Sequence, residues 1–202
     1  MEQKGVTIWF TGMSGAGKTA LAIRLEKELR NRSLRVERLD GDIVRQGLTR
    51  DLGFSKEDRD MNIERVTFVA KLLTRNGVAV LASFISPYRA ARAKVREETR
   101  NFVEVFCYAP LETLVERDVK GLYKKALAGE IENFTGVSDP YEEPEKPEVT
   151  IDSSTETIEQ SLAKILAKLE ELGYVPPAED DSAYTEDEEA EIEARLAALG
   201  YL

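Results

Sequence analysis

The sequence predicts a three-layer α/β fold around a mainly parallel five-stranded sheet, and three observations carry that expectation. Short apolar runs alternate with longer helical patterns, the order expected when crossover helices join parallel strands. The run Val78-Ala79-Val80-Leu81-Ala82-Ser83 is continuously apolar after Gly77, as a strand buried on both faces requires. A glycine-rich turn, Gly12 to Gly17, stands between an apolar run and a helical pattern.

Val6 to Thr11 reads as the first strand, and Thr19 to about Arg30 as a helix with Leu21, Leu25 and Leu29 on one face. Val36 to Leu39 is a short second strand that runs into Asp40-Gly41-Asp42. Ser55 opens a long helix to about Arg75, with Ser55-x-x-Asp58 as its N-cap and Gly77 past its end. Val78 to Ser83 is the third strand, helical pattern follows Pro87, and Val103 to Tyr108 is the fourth strand. Pro110 is placed in the first turn of another helix. Val149 to Ile151 is the fifth strand, and a Ser153-x-x-Glu156 capping box introduces a helix from about Thr155 to Leu172. Residues 129–147, rich in Gly, Pro, Asn and Asp, show no period, which suits a functional lid or a disordered insert.

The composition narrows the function. Hydrophobic residues make up 42% of 202 and charged residues 33%, a globular balance, and no apolar run approaches the ~20 residues of a membrane span. The N-terminal apolar run is too short for a signal-peptide core, so a cytoplasmic protein is expected. With no histidine and one cysteine, Cys107, the usual zinc sets and an internal disulfide are excluded, and acid–base chemistry falls to Asp, Glu, Lys or Tyr. Cys107 reads as a buried small hydrophobe.

The net charge of −10 is localised. Residues 176–202 hold nine acidic groups and one basic, leaving 29 acidic and 27 basic in residues 1–175, so no basic nucleic-acid footprint is present. The expected organisation is one domain over 1–175, then an acidic linker and a C-terminal helix over 176–202. Thr185-x-x-Glu188 forms a capping box for that helix, and Ile192, Leu196 and Leu199 share one face.

The chemistry begins at Gly12-Met13-Ser14-Gly15-Ala16-Gly17-Lys18-Thr19, which matches the phosphate-loop pattern G-x-x-x-x-G-K-[ST] in the required strand-to-helix context. The loop's backbone N–H groups curl around phosphates, Lys18 reaches the β- and γ-phosphates, and the Thr19 hydroxyl is placed for Mg²⁺. This predicts a P-loop NTPase fold. The third strand ends in Ala82-Ser83 and not in the Asp of the usual second nucleotide-binding motif, and the carboxylates cluster instead at Asp40 and Asp42. Acceptor-activating carboxylates beside a phosphate loop suit a kinase better than a molecular switch.

Further blocks follow in order: Leu39-Asp40-Gly41-Asp42 with Arg45, Asp51-Leu52-Gly53-Phe54-Ser55, Asp58-Arg59 with Asn62, Phe84-Ile85-Ser86-Pro87-Tyr88-Arg89, Arg117-Asp118-x-Lys120-Gly121-Leu122-Tyr123, Phe134-Thr135-Gly136 and Asp139-Pro140-Tyr141-Glu142. Through them the chain resembles the adenylylsulfate kinase family from about residue 5 to 175. The resemblance implies transfer of the ATP γ-phosphate to the 3′-hydroxyl of adenosine 5′-phosphosulfate (APS), with Mg²⁺, in a homodimer that binds neither nucleic acid nor membrane.

It also implies residue roles. Asp42 is the first candidate for the base, and Asp40 is the second or a contact to Mg²⁺ through water. Lys120 stabilises the transferring phosphoryl group and Arg117 borders the ATP base. Phe54 and Phe134 sandwich the APS adenine. Arg45, Arg59 and Asn62 hold its phosphosulfate and ribose, and Ile85, Ser86 and Pro87 line its pocket. Alone, Phe54 could be a hydrophobic staple for the long helix, and Arg59 and Asn62 solvated helix residues. Phe134 in a polar stretch has no evident packing role. Ser86 could be a phosphoacceptor, or, as preferred, a turn residue with its hydroxyl facing substrate. Met61, Glu64, Ala91 and Ala93 depart from the family pattern. A kinase of the same fold acting on another nucleotide-linked acceptor, and a non-catalytic nucleotide-binding regulator, are the rival readings.

Overall fold

A computed structural model describes residues 3–177; the expected C-terminal helix lies outside them. Five strands, β1 (Val6–Thr11), β2 (Val36–Asp40), β3 (Ala79–Ser83), β4 (Phe102–Tyr108) and β5 (Val149–Asp152), form one sheet in the order β2-β3-β1-β4-β5. Every pairing is parallel. The helices are α1 (Lys18–Asn31), α2 (Gly41–Gln46), α3 (Lys56–Arg75), α4 (Arg89–Glu98), α5 (Leu111–Arg117), α6 (Leu122–Leu127) and α7 (Ile158–Glu171). No helix among the described residues is long and apolar enough to cross a membrane.

The unbroken apolar strands follow from burial on two faces. Along β1, Val6, Ile8 and Phe10 join a core that includes Leu21, Leu25 and Leu29 of α1 and Ile165 and Leu169 of α7. Trp9 points the other way, among Val44 of α2, Ile63 and Val66 of α3, and Val95 of α4. Alternate side chains of a strand face opposite layers, so a strand between two helical layers carries no polar face. Cys107 is buried in the first of these cores, and burial raises its thiol pKa to about 12.

Three local readings change. The capping box of α7 belongs to Thr157 and Gln160: Thr157 Oγ1 accepts from Gln160 N at 3.2 Å, and Gln160 Oε1 accepts from Thr157 N at 2.9 Å. Ser153-x-x-Glu156 lies earlier because Asp152 draws Ser154 into a turn and Glu156 reaches back to the Asp152 N–H. Pro110, at ψ 144°, is the N-cap of α5, one residue outside its first turn. The residues after β2, which carry no helical pattern in the sequence, form the short helix α2. The caps of α3 are as expected, with Ser55 Oγ accepting from Asp58 N at 3.1 Å.

Candidate active site

The phosphate loop links β1 to α1. Gly12, at φ 145°, lies so close to β4 that a side chain there would strike the Cys107 carbonyl. Gly17, in the left-handed region at φ 88°, precedes α1 without a side-chain cap, which leaves first-turn N–H groups for an anionic ligand. Ala16 is buried, Ser14 half-buried and Gly15 exposed. Tyr123 Oη, on α6, donates to the Ser14 carbonyl at 2.8 Å and braces the loop. Burial raises its phenol pKa to about 12, so it remains a donor at neutral pH. Lys18 Nζ turns back onto the carbonyls of Gly12 and Met13, each at 2.7 Å. Burial pushes its pKa down to about 8, although the Asp40 and Asp42 carboxylates pull the other way.

Asp40 ends β2 and caps α2. Its Oδ1 accepts from Asp42 N at 3.0 Å and its Oδ2 accepts from the Thr19 hydroxyl at 2.8 Å. Asp42, exposed at the start of α2, pairs with Lys120 Nζ at 2.5 Å. Lys120 lies in the turn between α5 and α6, which Asp118 fixes by accepting from the N–H groups of Tyr123 and Lys124, each at 3.0 Å. Those bonds hold the Asp118 carboxyl below the usual range. Lys18, Thr19, Asp40, Asp42 and Lys120 therefore converge at the carboxyl ends of β1 and β2, the usual ligand position in open α/β sheets. Arg117, at the end of α5, donates to the Ser153 carbonyl at 2.7 Å and its hydroxyl at 3.3 Å.

The other wall is built from α2, α3 and the segment after β3. Arg45 donates to the carbonyls of Leu52 and Gly53, and its guanidinium sits 4.3 Å over the Phe54 ring. Phe54 remains 62% exposed, so it is not a staple. Asn62 is buried and its Oδ1 accepts from the Thr49 hydroxyl at 2.8 Å; it secures the α2–α3 loop and is not a solvated helix residue. Arg59 is not solvated either. Its guanidinium donates to the Phe54 carbonyl at 3.0 Å, Thr135 Oγ1 at 2.6 Å, Asp139 Oδ2 at 2.8 Å and the Asn133 carbonyl. It thus clasps the lid to the start of α3. Phe134 also has a packing role: it is half-buried against the core, edge-on to Tyr123 with ring centroids 5.1 Å apart.

Ser86 differs from expectation. It is buried at φ 40°, and its hydroxyl accepts from Trp9 Nε1 at 3.0 Å while donating to Thr11 Oγ1 at 3.2 Å. A buried indole N–H needs an acceptor, so this hydroxyl faces the core and not the pocket. Ile85 is half-buried with its carbonyl accepting from Thr11, and the buried Pro87 accepts from Glu142 N at 2.9 Å.

The lid, 129–147, contains no helix or strand. The Phe134 carbonyl closes a tight turn by accepting from the N–H groups of Val137, Ser138 and Asp139. Its stem is fastened from below by residues the sequence reading gave no role. Tyr141 Oη shares a 2.8 Å bond with Thr11 Oγ1, and Tyr88 Oη donates to Asp139 at 3.0 Å. Arg92, on α4, donates to Glu104 Oε1 at 2.9 Å and to the carbonyls of Ser86 and Glu142, both at 2.6 Å. Tyr141 and Tyr123 stood in recognisable blocks; Arg92 had no signal beyond an ordinary polar helix. The departures Met61 and Glu64 lie exposed on α3, with Glu64 paired to Lys94 at 2.9 Å.

A parallel sheet in this order, a phosphate loop after its central strand and carboxylates at the end of β2, bonded to the loop through Thr19, define a P-loop kinase. The chain matches the adenylylsulphate kinase family over residues 4–152. It is 60% identical over 178 residues to an adenylyl-sulfate kinase of Halothermothrix orenii, covering 88% of this chain and 96% of that protein. It is 65% identical over 168 residues to a probable adenylyl-sulfate kinase of Pseudomonas aeruginosa, covering 83% and 78% respectively. Among solved structures, the Mycobacterium tuberculosis APS kinase in complex with AMPPNP and APS superposes with a TM-score of 0.79 at 42% identity, covering 83% of this chain and 99% of that one. The chain belongs to the adenylylsulphate kinase family.

Proposed function

We infer that the protein transfers the γ-phosphate of ATP to the 3′-hydroxyl of adenosine 5′-phosphosulfate, giving the 3′-phosphorylated product used in sulfate assimilation. The observation that carries this reading is the Asp42–Lys120 pair beside the phosphate loop, with Asp42 on the helix that also carries Arg45, whose guanidinium covers the Phe54 ring. The loop N–H groups and Lys18 hold the ATP phosphates, and Arg117 borders its base. Asp42 orients the acceptor hydroxyl and takes its proton as the O–P bond forms, while Lys120 offsets charge on the transferring phosphoryl group. Arg45 presents its remaining guanidinium donors to the phosphosulfate, and Arg59 frames that side of the pocket by holding the lid. Asn62 and the Ile85–Pro87 turn shape the pocket.

Mg²⁺ suits this site. It takes one or two protein oxygens and otherwise water and phosphate. The Thr19 hydroxyl and Asp40 carboxylate lie side by side, and Ser83 Oγ, in register with Asp40 on β3, is a buried hydroxyl without a partner among the described residues. Thr19, with Asp40 through water, would hold the ion, which would offset phosphate charge. A homodimer completes the reading.

A coupled assay with ATP, Mg²⁺ and APS tests it: the 3′-phosphorylated product should form. Turnover of another nucleotide-linked acceptor, with none of APS, would overturn it.

A phosphate next to Lys18 raises a pKa that burial holds near 8, so ATP binding should take up about half a proton at pH 8 and weaken as pH rises above that. Calorimetry in buffers of different ionisation enthalpy reads the uptake; none would remove Lys18 from the phosphate contact. Phe54→Ala should weaken APS binding by about 5- to 100-fold, the worth of stacking a base on an aromatic ring, with an unchanged melting temperature because the ring is mostly exposed. Phe134→Ala should lose APS affinity and stability together, since that ring also packs on Tyr123. Normal APS affinity in Phe54→Ala removes it from the site.

A further inference from the structure

Arg92 is buried on α4 at 3% exposure, and its three guanidinium nitrogens point to three separate parts of the chain. Nε meets Glu104, itself buried on β4. One terminal nitrogen meets the carbonyl of Ser86, a residue held at φ 40°, a backbone conformation that a non-glycine residue keeps only when its surroundings impose it. The other meets the carbonyl of Glu142 in the lid stem. Glu104 is anchored in turn, with its N–H donating to Glu148 at 2.6 Å.

We propose that Arg92 is a positioning residue for the acceptor half of the reaction. It fixes the Ile85–Pro87 turn and the lid stem at a set distance from each other, and so shapes the pocket without touching substrate. This rests on the reading above, in which that turn borders APS. Stability alone gives a weak reason for the arrangement, because a buried ion pair contributes little more than apolar packing of the same volume. Rigid donors aimed in three directions specify geometry, and lysine cannot reproduce them. The stem has a second fastening where Tyr141, whose ring lies 5.7 Å from the Arg92 guanidinium, meets Thr11, the residue before Gly12.

Arg92→Lys keeps the charge opposite Glu104 and loses the fork. Steady-state kinetics of this variant should show KM for APS raised about tenfold, within the range by which residues that touch neither ligand modulate binding, with KM for ATP within about twofold. A merely structural residue would lower the active fraction and move neither KM. Trp9, the single tryptophan, donates to Ser86, so its emission should also shift in the variant. An unchanged APS KM in folded Arg92→Lys overturns the proposal. Should that variant not fold, the double variant Arg92→Met/Glu104→Leu decides, because it removes the fork without leaving either charge buried alone: a raised APS KM supports the proposal and an unchanged one overturns it. A wild-type protein that turns over ATP but not APS overturns the acceptor reading and this proposal with it. An active wild type with unchanged variants overturns the role of Arg92 alone.

Discussion

Asp42→Asn should lower the rate of phosphoryl transfer by about 10²–10⁴-fold, the usual worth of a positioned general base, while ATP binding stays near the wild-type value. The side chain is exposed at the start of α2, and its ion pair with Lys120 lies open to solvent. Such pairs contribute about 1 kcal/mol or less, so the melting temperature should barely move. Asparagine still accepts a hydrogen bond from Lys120 but cannot take the acceptor's proton. Quenched-flow kinetics with calorimetric titration of ATP separates the two effects. A near-normal transfer rate would move the base to Asp40, whose carboxylate is engaged by Thr19 and the Asp42 N–H.

Lys18→Ala should fail at an earlier stage, losing ATP affinity and transfer together, with kcat/KM down by roughly 10²–10³-fold, as when one preorganised donor to a developing charge is removed. Its effect on stability has a definite pH dependence. The folded pKa of about 8 lies below the ordinary value of 10.5. Between those values the unfolded chain binds more protons, so Lys18 makes stability rise with pH there, and its burial cost is complete below about 8. The variant should lack that rise in thermal melts between pH 8 and 10. ATP affinity retained in Lys18→Ala would contradict the phosphate-contact assignment.

What the sequence made legible is what it encodes locally. The phosphate loop needs only glycines, a lysine and a threonine at fixed spacing, so Gly12–Thr19 could be read directly, and so could the strands buried on both faces. The remaining contacts depend on residues far apart. Tyr141 meets Thr11 across 130 positions and Arg92 meets Glu142 across 50, separations over which no period operates. The direction of the Ser86 hydroxyl is hidden in the sequence for a related reason. The hydroxyl turns inward because Trp9, on another strand, requires an acceptor, and a buried indole in a central strand was the clue available. The packing partner of Phe134 is hidden in the sequence because Tyr123, eleven residues earlier, reaches it only once α6 has formed.

The strand order also dictates a sequence of events during synthesis. β1 is central, yet both its neighbours, β3 and β4, come much later in the chain, and 67 residues separate Thr11 from Ala79. At roughly 5–20 residues per second, a nascent chain displays Val6–Thr11 unpaired for about 3–13 s. During that interval an apolar, β-prone hexapeptide is open to other chains, a recognised aggregation hazard. Folding yield should therefore depend on how quickly residues 79–83 leave the ribosome, and slow codons between β2 and β3 should lower the soluble fraction more than slow codons after β4.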